Sequence, residues 1–441
     1  MRIFWILTVA ALICNSAFAQ QQAKLIIKQK SDLYHKPVDI QAINLPPGKE
    51  VKFTLNATDA KNHKWRSEAF YISNSEGKID LSEDKSVKGS YLGKRPMGLF
   101  WSMKSKDYHQ IATHKGFTAT ISISIDGKSL DEKTIYRKST RELDKLKISL
   151  LQKRDTIIAD YYVPESKEKL PAIIFIGGSG GGFRQERASL YASEGYAVLN
   201  LKYFRHEKLP KGIIEIPLEY VEKAFNWLSL QPEIDKSKIG IIGRSRGSEL
   251  AMLYASEFTG LQFVIAQVPS NVVWFGWEDG KSSWSYKGKP YTYAEYSSAD
   301  SERIEKEMKV KGIQYHDGPK FLSAFKNKEM IKNAGIKVEN IKCPILFISG
   351  KDDMVWPSAM MSEKMMQRLR ENNFQYEFSH LSYDNAGHNF GGGGQGCGIP
   401  FLPPEDYSKS SARGGTDEGN ALAAIHSWNE ILKFLKKHLK D

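Results

Sequence analysis

Cysteine is nearly absent from this chain, with three in 441 residues. Cys14 lies in an apolar N-terminal run, which leaves Cys343 and Cys397 for the body of the protein. Two thiols do not make a disulfide framework, and no Cys/His spacing matches a zinc site, so no metal is expected. A single bridge between Cys343 and Cys397 stays open, because sequence separation does not decide it. Long apolar runs are equally scarce. The one at the N-terminus, Ile3–Ile13, follows Met1-Arg2 and precedes Ala17-Phe18-Ala19, a small-x-small cleavage site. Residues 1–19 therefore read as a secretory signal peptide, leaving Gln20 as the new N-terminus. The run is too short to span a bilayer, and bulky Ile13 argues against lipoprotein processing at Cys14. No other stretch reads as membrane-crossing, so the expectation is an exported, periplasmic or secreted protein without stable membrane insertion. The first part of the chain also lacks the repeats of a propeller.

Acidic residues are the minority charge, 51 against 63 Lys and Arg, for a formal net charge of +12. Part of the excess lies in Lys433–Lys440, whose apolar positions recur at helical spacing. That pattern reads as a closing amphipathic helix with a solvated basic face, not a nucleic-acid patch. The net charge favours anionic ligands at long range without naming one. A hydrophobic content of 41% and a charged content of 26% are those of an ordinary globular protein, and the length fits one large domain plus a smaller one.

What is present falls into two parts. From Lys24 to Lys138, short alternating runs such as Val51–Leu55 and Phe117–Ile123 are separated by turns at Leu45–Lys49 and Asp126–Lys128. This predicts a β-sandwich. It holds no cluster of catalytic residue types, and His63 and His109 are isolated. Lys138–Lys147 reads as a linker. From Ile148 to the C-terminus, strand-like runs (Leu170–Ile176, Gly195–Leu201, Lys238–Ile242, Phe263–Ala266, Ile345–Ile348) alternate with helical stretches such as Leu218–Leu228. Such alternation predicts a doubly wound α/β sheet covered on both faces. An aromatic-rich insertion, residues 271–342, is expected to lie over the C-terminal sheet edge as a lid or acyl-binding wall, with Trp274, Trp277 and Trp284 as substrate-binding candidates. Packing of these aromatics onto the domain is the alternative.

Gly243-Arg244-Ser245-Arg246-Gly247 lies between a buried-strand run and a helical run. A Gly-x-Ser-x-Gly in that setting is a nucleophile elbow: the serine hydroxyl is exposed on a sharp, strained turn. A serine needs a base and the base an orienting acid. Downstream, Ser349–Pro357 supplies Asp353, with Asp352 as rival, and Tyr383–Asn389 supplies His388 on a glycine-bearing loop. His380 and His426 sit within a strand and a helix and are worse placed. The order Ser, Asp, His is that of α/β-hydrolases. Gly177–Gly182 lacks the Gly-Lys-Ser/Thr ending of a nucleotide loop and fails the dinucleotide pattern, so no cofactor is expected. It reads as a backbone loop completing an oxyanion hole with the N–H of Arg246, through Gly178 or Ser179.

These residues resemble the acyl-CoA thioesterase and bile acid-CoA:amino acid N-acyltransferase family over nearly the whole mature chain. The likeness is carried by Leu45–Gly48 and Pro96–Met103 in the first part. In the second it is carried by Gly178–Gly182 with Arg187–Leu190, Ser285–Pro290, Gly350–Asp353 and Gly387-His388. The resemblance implies an Ig-like N-terminal sandwich before an α/β-hydrolase domain, and hydrolysis of a small-molecule acyl thioester or ester through an acyl-serine. The transferase branch uses cysteine. The chain departs from the family in its signal peptide, in the glycine-rich run Gly391–Cys397, and in the two cations, Arg244 and Arg246, beside the nucleophile. An exported carboxylesterase or peptidase, an N-acyltransferase, and a non-catalytic ligand-binding module are the competing expectations.

Overall fold

A computed structural model describes residues 22–106, 111–142, 146–151, 157–180, 185–206, 208–390 and 412–440. The leader with its cleavage site, His109, Gly181, Gly182 and the run Gly391–Cys397 lie outside the described residues, and with Cys397 the question of its pairing to Cys343. Among the described residues no helix is long and apolar enough to cross a membrane.

The first part is two antiparallel sheets packed face to face. One holds Lys24–Gln29, Val38–Ile43 and Ile79–Asp80; the other has five strands, with Glu50–Thr58 between Lys64–Ile72 and Phe117–Ile125. Alternation produces the core: Val51, Phe53, Leu55 and Ala57 point inward with Ala119, Ile121 and Ile123, against Leu25, Ile40 and Ala42 of the other sheet. Period-2 sidedness makes one face of each strand apolar.

The second part is an eight-stranded sheet. Its strands are β1 (Leu146–Leu151), β2 (Ile158–Pro164), β3 (Leu170–Ile176), β4 (Ala197–Lys202), β5 (Ile234–Arg244), β6 (Val264–Gln267), β7 (Ile345–Gly350) and β8 (Phe378–Tyr383). Their order is 1-2-4-3-5-6-7-8. β2 runs antiparallel to both of its neighbours, and β4 through β8 are mutually parallel. Ile173 and Phe175 of β3 enter one core with the helices Gln185–Ser193 and Asp417–Leu439. Ala172, Ile174 and Ile176 enter another with Glu219–Ser229 and Ser358–Glu371. Burial on both faces is why these strands are unbroken apolar runs. This is an α/β-hydrolase fold preceded by a smaller β-sandwich.

Between β6 and β7 the insertion carries the helices Ser298–Val310, Gly318–Ala324 and Lys328–Asn333. Its strands Trp284–Tyr286 and Lys289–Pro290 form a small sheet with Ile216–Pro217.

The two parts share a continuous core. Trp428 of the C-terminal helix packs edge-on to His35 of the sandwich at 6.1 Å and against Tyr191 at 5.1 Å. Glu194 accepts from both His35 Nε2 (3.0 Å) and Lys36 Nζ (2.5 Å). Within the segment read as a linker, Ser139 and Thr140 are buried, and Thr140 Oγ1 lies 2.6 Å from Ser189 Oγ. In the C-terminal helix, Phe434, Leu435 and Leu439 are buried while Lys433 is exposed. Removing the shared aromatic by Trp428→Ala should cost about 3–5 kcal/mol of stability. Denaturant unfolding followed by far-UV circular dichroism would read it, and an unchanged midpoint would show that the two parts do not stabilise each other through this residue.

Candidate active site

Ser245 stands between the last residue of β5 and the helix Arg246–Glu257, with φ +53° and ψ −124°. A non-glycine residue with positive φ is strained, and the neighbours are arranged to hold it. A Cβ on Gly243 would come within 2.4 Å of the Gly247 carbonyl oxygen, and one on Gly247 within 2.3 Å of the Gly177 oxygen. Only glycine lets strand, turn and helix approach so closely. The Ser245 N–H donates to Gln267 O on β6 at 2.9 Å, and Ser248 donates to Ser245 O through both N–H and Oγ.

The loop after β3 passes directly over this turn. An ideal Cβ on Gly178 would sit 3.0 Å from Ser245 Cβ and 3.5 Å from its Oγ, and Tyr203 OH donates to Gly177 O at 2.9 Å. Ser179 is exposed at the tip. Arg246 opens the nucleophile helix, so its N–H is one of the first-turn donors that have no acceptor within the helix.

His388 Nε2 lies 3.0 Å from Ser245 Oγ. Its Nδ1 lies 2.9 and 3.1 Å from the two carboxylate oxygens of Asp353. Of the two neighbouring acids, Asp353 reaches the imidazole with a side chain 1% exposed, while Asp352 is exposed. Asp353 also accepts from Val355 N (2.9 Å), Trp356 N (3.3 Å) and Ser358 Oγ (2.6 Å), so it organises the entry to the next helix as well. Trp356, which sequence reasoning passed over, packs edge-on to the imidazole at 5.8 Å. Burial holds the His388 pKa below its ordinary 6.5, with the Arg244 and Arg413 cations adding to the effect and Asp353 opposing it. A neutral imidazole with Nδ1–H donated to Asp353 leaves Nε2 free to accept from the serine.

Neither cation beside the nucleophile projects into open solvent. Arg244 Nη2 donates to His388 O (2.5 Å) and Asn389 Oδ1 (3.1 Å), and Arg246 turns inward to Glu249. The expectation that three tryptophans line a substrate pocket is corrected for two of them. Trp274 and Trp284 are completely buried, with indole N–H groups donated to Ser270 Oγ and Glu249 Oε2, so solvent reaches neither ring. Trp277 is 41% exposed, with Phe204 in edge contact at 5.2 Å and the Arg205 guanidinium 4.6 Å from the centre of its ring. Glu249 was also missed. An acid ahead of the apolar run Leu250–Leu253 is the signal that could have found it.

A second serine–histidine–carboxylate array exists at Ser349, His380 and Glu363, with links of 2.6 Å each. Ser349 is fully buried on β7, so the array joins the sheet to the helix Ser358–Glu371. Among the described residues no group of His, Cys, Asp or Glu is arranged to hold a metal ion.

Comparison with known proteins agrees with this architecture. The family model described as acyl-CoA thioester hydrolase/BAAT N-terminal region matches residues 35–147, and the BAAT/acyl-CoA thioester hydrolase C-terminal model matches residues 216–441. Acyl-coenzyme A amino acid N-acyltransferase 2 of Mus musculus is 30% identical over 435 residues, covering 94% of this chain and 98% of that protein. Acyl-coenzyme A thioesterase 1 of the same species is 25% identical, covering 92% and 94% respectively. With both regions matched in order and relatives aligned end to end, the chain belongs to the acyl-CoA thioester hydrolase/BAAT family and is an enzyme of α/β-hydrolase type.

Proposed function

We propose that this protein is a serine hydrolase that cleaves acyl thioesters of the coenzyme A type to free acid and thiol through an acyl-Ser245 intermediate. The observation that carries the reading is the unbroken relay from Ser245 Oγ through His388 to Asp353, with donor–acceptor distances of 3.0 and 2.9 Å. In the proposed cycle, His388 Nε2 takes the Ser245 proton as Oγ attacks the thioester carbonyl. The oxyanion accepts hydrogen bonds from the Arg246 N–H and from the glycine loop at Gly178 or Ser179, where each donor is worth about 3 kcal/mol. Collapse breaks the C–S bond, and the imidazolium returns the proton to the departing sulfur. Water then attacks the acyl-serine, with His388 again the base, and the carboxylic acid leaves.

Relatives named as N-acyltransferases support a second reading, transfer of the acyl group to an amino acid. Serine favours water as the acceptor, because an oxyester is a poorer acyl donor to an amine than a thioester. Product analysis with and without an amino-acid acceptor decides between them, and an N-acyl amino acid as main product would replace the hydrolase reading. Matched acyl-CoA and p-nitrophenyl esters separate a thioesterase from a carboxylesterase. Export belongs to the same proposal and is supported by the Ile3–Ile13 run and the Ala17-Phe18-Ala19 site.

Ser245→Ala should lower kcat by at least about 10⁴-fold with the fold intact; a steady-state rate near wild type would remove the acyl-serine mechanism. The base must be neutral to work, and His388 is held below its ordinary 6.5. The acid limb of the kcat/KM profile should therefore have its midpoint below pH 6.5, and Arg413→Gln, by removing a cation, should move it upward. A wild-type midpoint above that value would contradict the assignment of His388. N-terminal sequencing of the protein recovered from outside the cytoplasm should begin at Gln20, and recovery of an uncleaved chain there would sink the leader assignment.

A further inference from the structure

The helix that follows Ser245 carries two acids: Glu257 at its end, in contact with Tyr291, and Glu249, whose side chain is sealed from solvent. It lies one helical turn beyond the nucleophile, so it shares a face with it. Its Oε1 accepts from Arg246 Nη1 at 2.9 Å, and its Oε2 accepts from Trp284 Nε1 at 3.0 Å and Trp274 N at 3.2 Å. Arg246 is gripped in turn. Its Nη2 donates to Phe275 O at 2.9 Å, to Trp274 O at 3.4 Å and to Ser283 Oγ, and the guanidinium stands 5.8 Å from the Trp284 ring.

We propose that Glu249 is a positioning residue: by clamping the Arg246 side chain it fixes the Arg246 peptide N–H toward Ser245, and it couples that donor to the insertion at Trp274–Phe275 and Ser283-Trp284. The inference rests on the acyl-serine reading above and names how one oxyanion donor is held.

Stability alone is a weak reason to keep this pair. Both side chains are nearly or wholly buried, and a buried ion pair commonly gains nothing over an apolar pair of the same volume. Burial also pushes the Glu249 carboxyl up to about 7, against the opposing pull of Arg246 and the two tryptophan N–H groups. What the pair does provide is geometry. Arg246 begins the helix, so its main chain would otherwise be fixed only from the strand side. A guanidinium held through Nη1 by a carboxylate and through Nη2 by two main-chain carbonyls fixes the residue from the other side as well, with a fork that a lysine cannot reproduce. Oxyanion donors act through such preorganisation, since their benefit depends on not having to reorient during the reaction.

The test uses the full-length protein and whichever acyl-CoA or p-nitrophenyl ester the wild type turns over. Glu249→Gln preserves shape and can still accept from the tryptophan N–H groups, but it removes the charge that holds Arg246. Its kcat should fall about 10- to 100-fold, a fraction of what a lost oxyanion donor produces, with KM within about threefold. Arg246→Met/Glu249→Gln removes both charges and should restore thermal stability toward wild type while kcat stays low. Low kcat in the stability-restored double variant supports positioning. Wild-type kcat in Glu249→Gln, or kcat recovered together with stability in the double variant, overturns it and leaves the pair a packing feature. Labelling of wild-type Ser245 by a fluorophosphonate keeps the two claims apart. If Ser245 is not labelled, the acyl-serine reading fails. If it is labelled and Glu249→Gln is unimpaired, only the clamp fails.

Discussion

The constraint on which the site depends is the backbone of one residue. Ser245 is held at φ +53° between a buried strand and a buried helix, a conformation that costs about 1–3 kcal/mol and persists only where the surroundings over-determine it. Its N–H is tied to β6, its carbonyl to Ser248, and glycines at 243 and 247 let the flanking main chains close in. The same closeness brings the loop after β3 to within contact of the serine side chain. The turn therefore does two things together: it presents Oγ to His388, and it lets the loop after β3 close over the serine.

Charge around the turn follows from burial. Arg244, Arg246, Glu249, Asp353 and His388 are all withdrawn from water, and a charge without partners in such surroundings is prohibitively costly. Each guanidinium answers this by binding main-chain carbonyls of a functional loop. Arg244 holds His388 and Asn389 at the histidine loop, and Arg246 holds Trp274 and Phe275 at the start of the insertion. The two cations flanking the serine are thus committed to the scaffold. One consequence reaches the base: burial, with a smaller contribution from the nearby cations, disfavours imidazolium against the pull of Asp353 and favours the form of His388 that accepts a proton.

The elements legible in the sequence were those whose signal is local. Ile173 to Ile176 read as a strand because both faces of that strand are buried, and the elbow was legible because its glycines stand next to the serine they accommodate. Asp353 kept Asp352 as its rival because one step along a loop reverses which side chain turns inward. The tryptophans misled for a different reason, since an aromatic that lines a pocket and one that fills a core have the same composition and spacing. Trp284 is committed to Glu249, 35 residues away in sequence, and Trp274 N to the same acid 25 away. Lys138–Lys147 looked like a linker because it is charged, yet Arg137 beside it is buried, donating to Gln29 Oε1 and to the carbonyls of Tyr34 and Lys36. Partners so distant in sequence leave no trace in local pattern.

The insertion touches the catalytic loops at more than one place, and this bears on what it can do. At the elbow it is tied through Arg246 and Glu249. At the acid loop, Gly318 N donates to Met354 O at 2.9 Å and Phe321 packs edge-on to Trp356 at 5.7 Å. Beside the histidine loop, Ala412 N donates to Tyr315 O, and the adjoining Arg413 O accepts from His388 N at 2.7 Å. A body that swung away as one piece would break all three sets of contacts and release buried charges to water or leave them unpaired. The insertion is therefore joined physically to the loops that carry the serine, the acid and the histidine, and a change in one is transmitted to the others through groups already in contact.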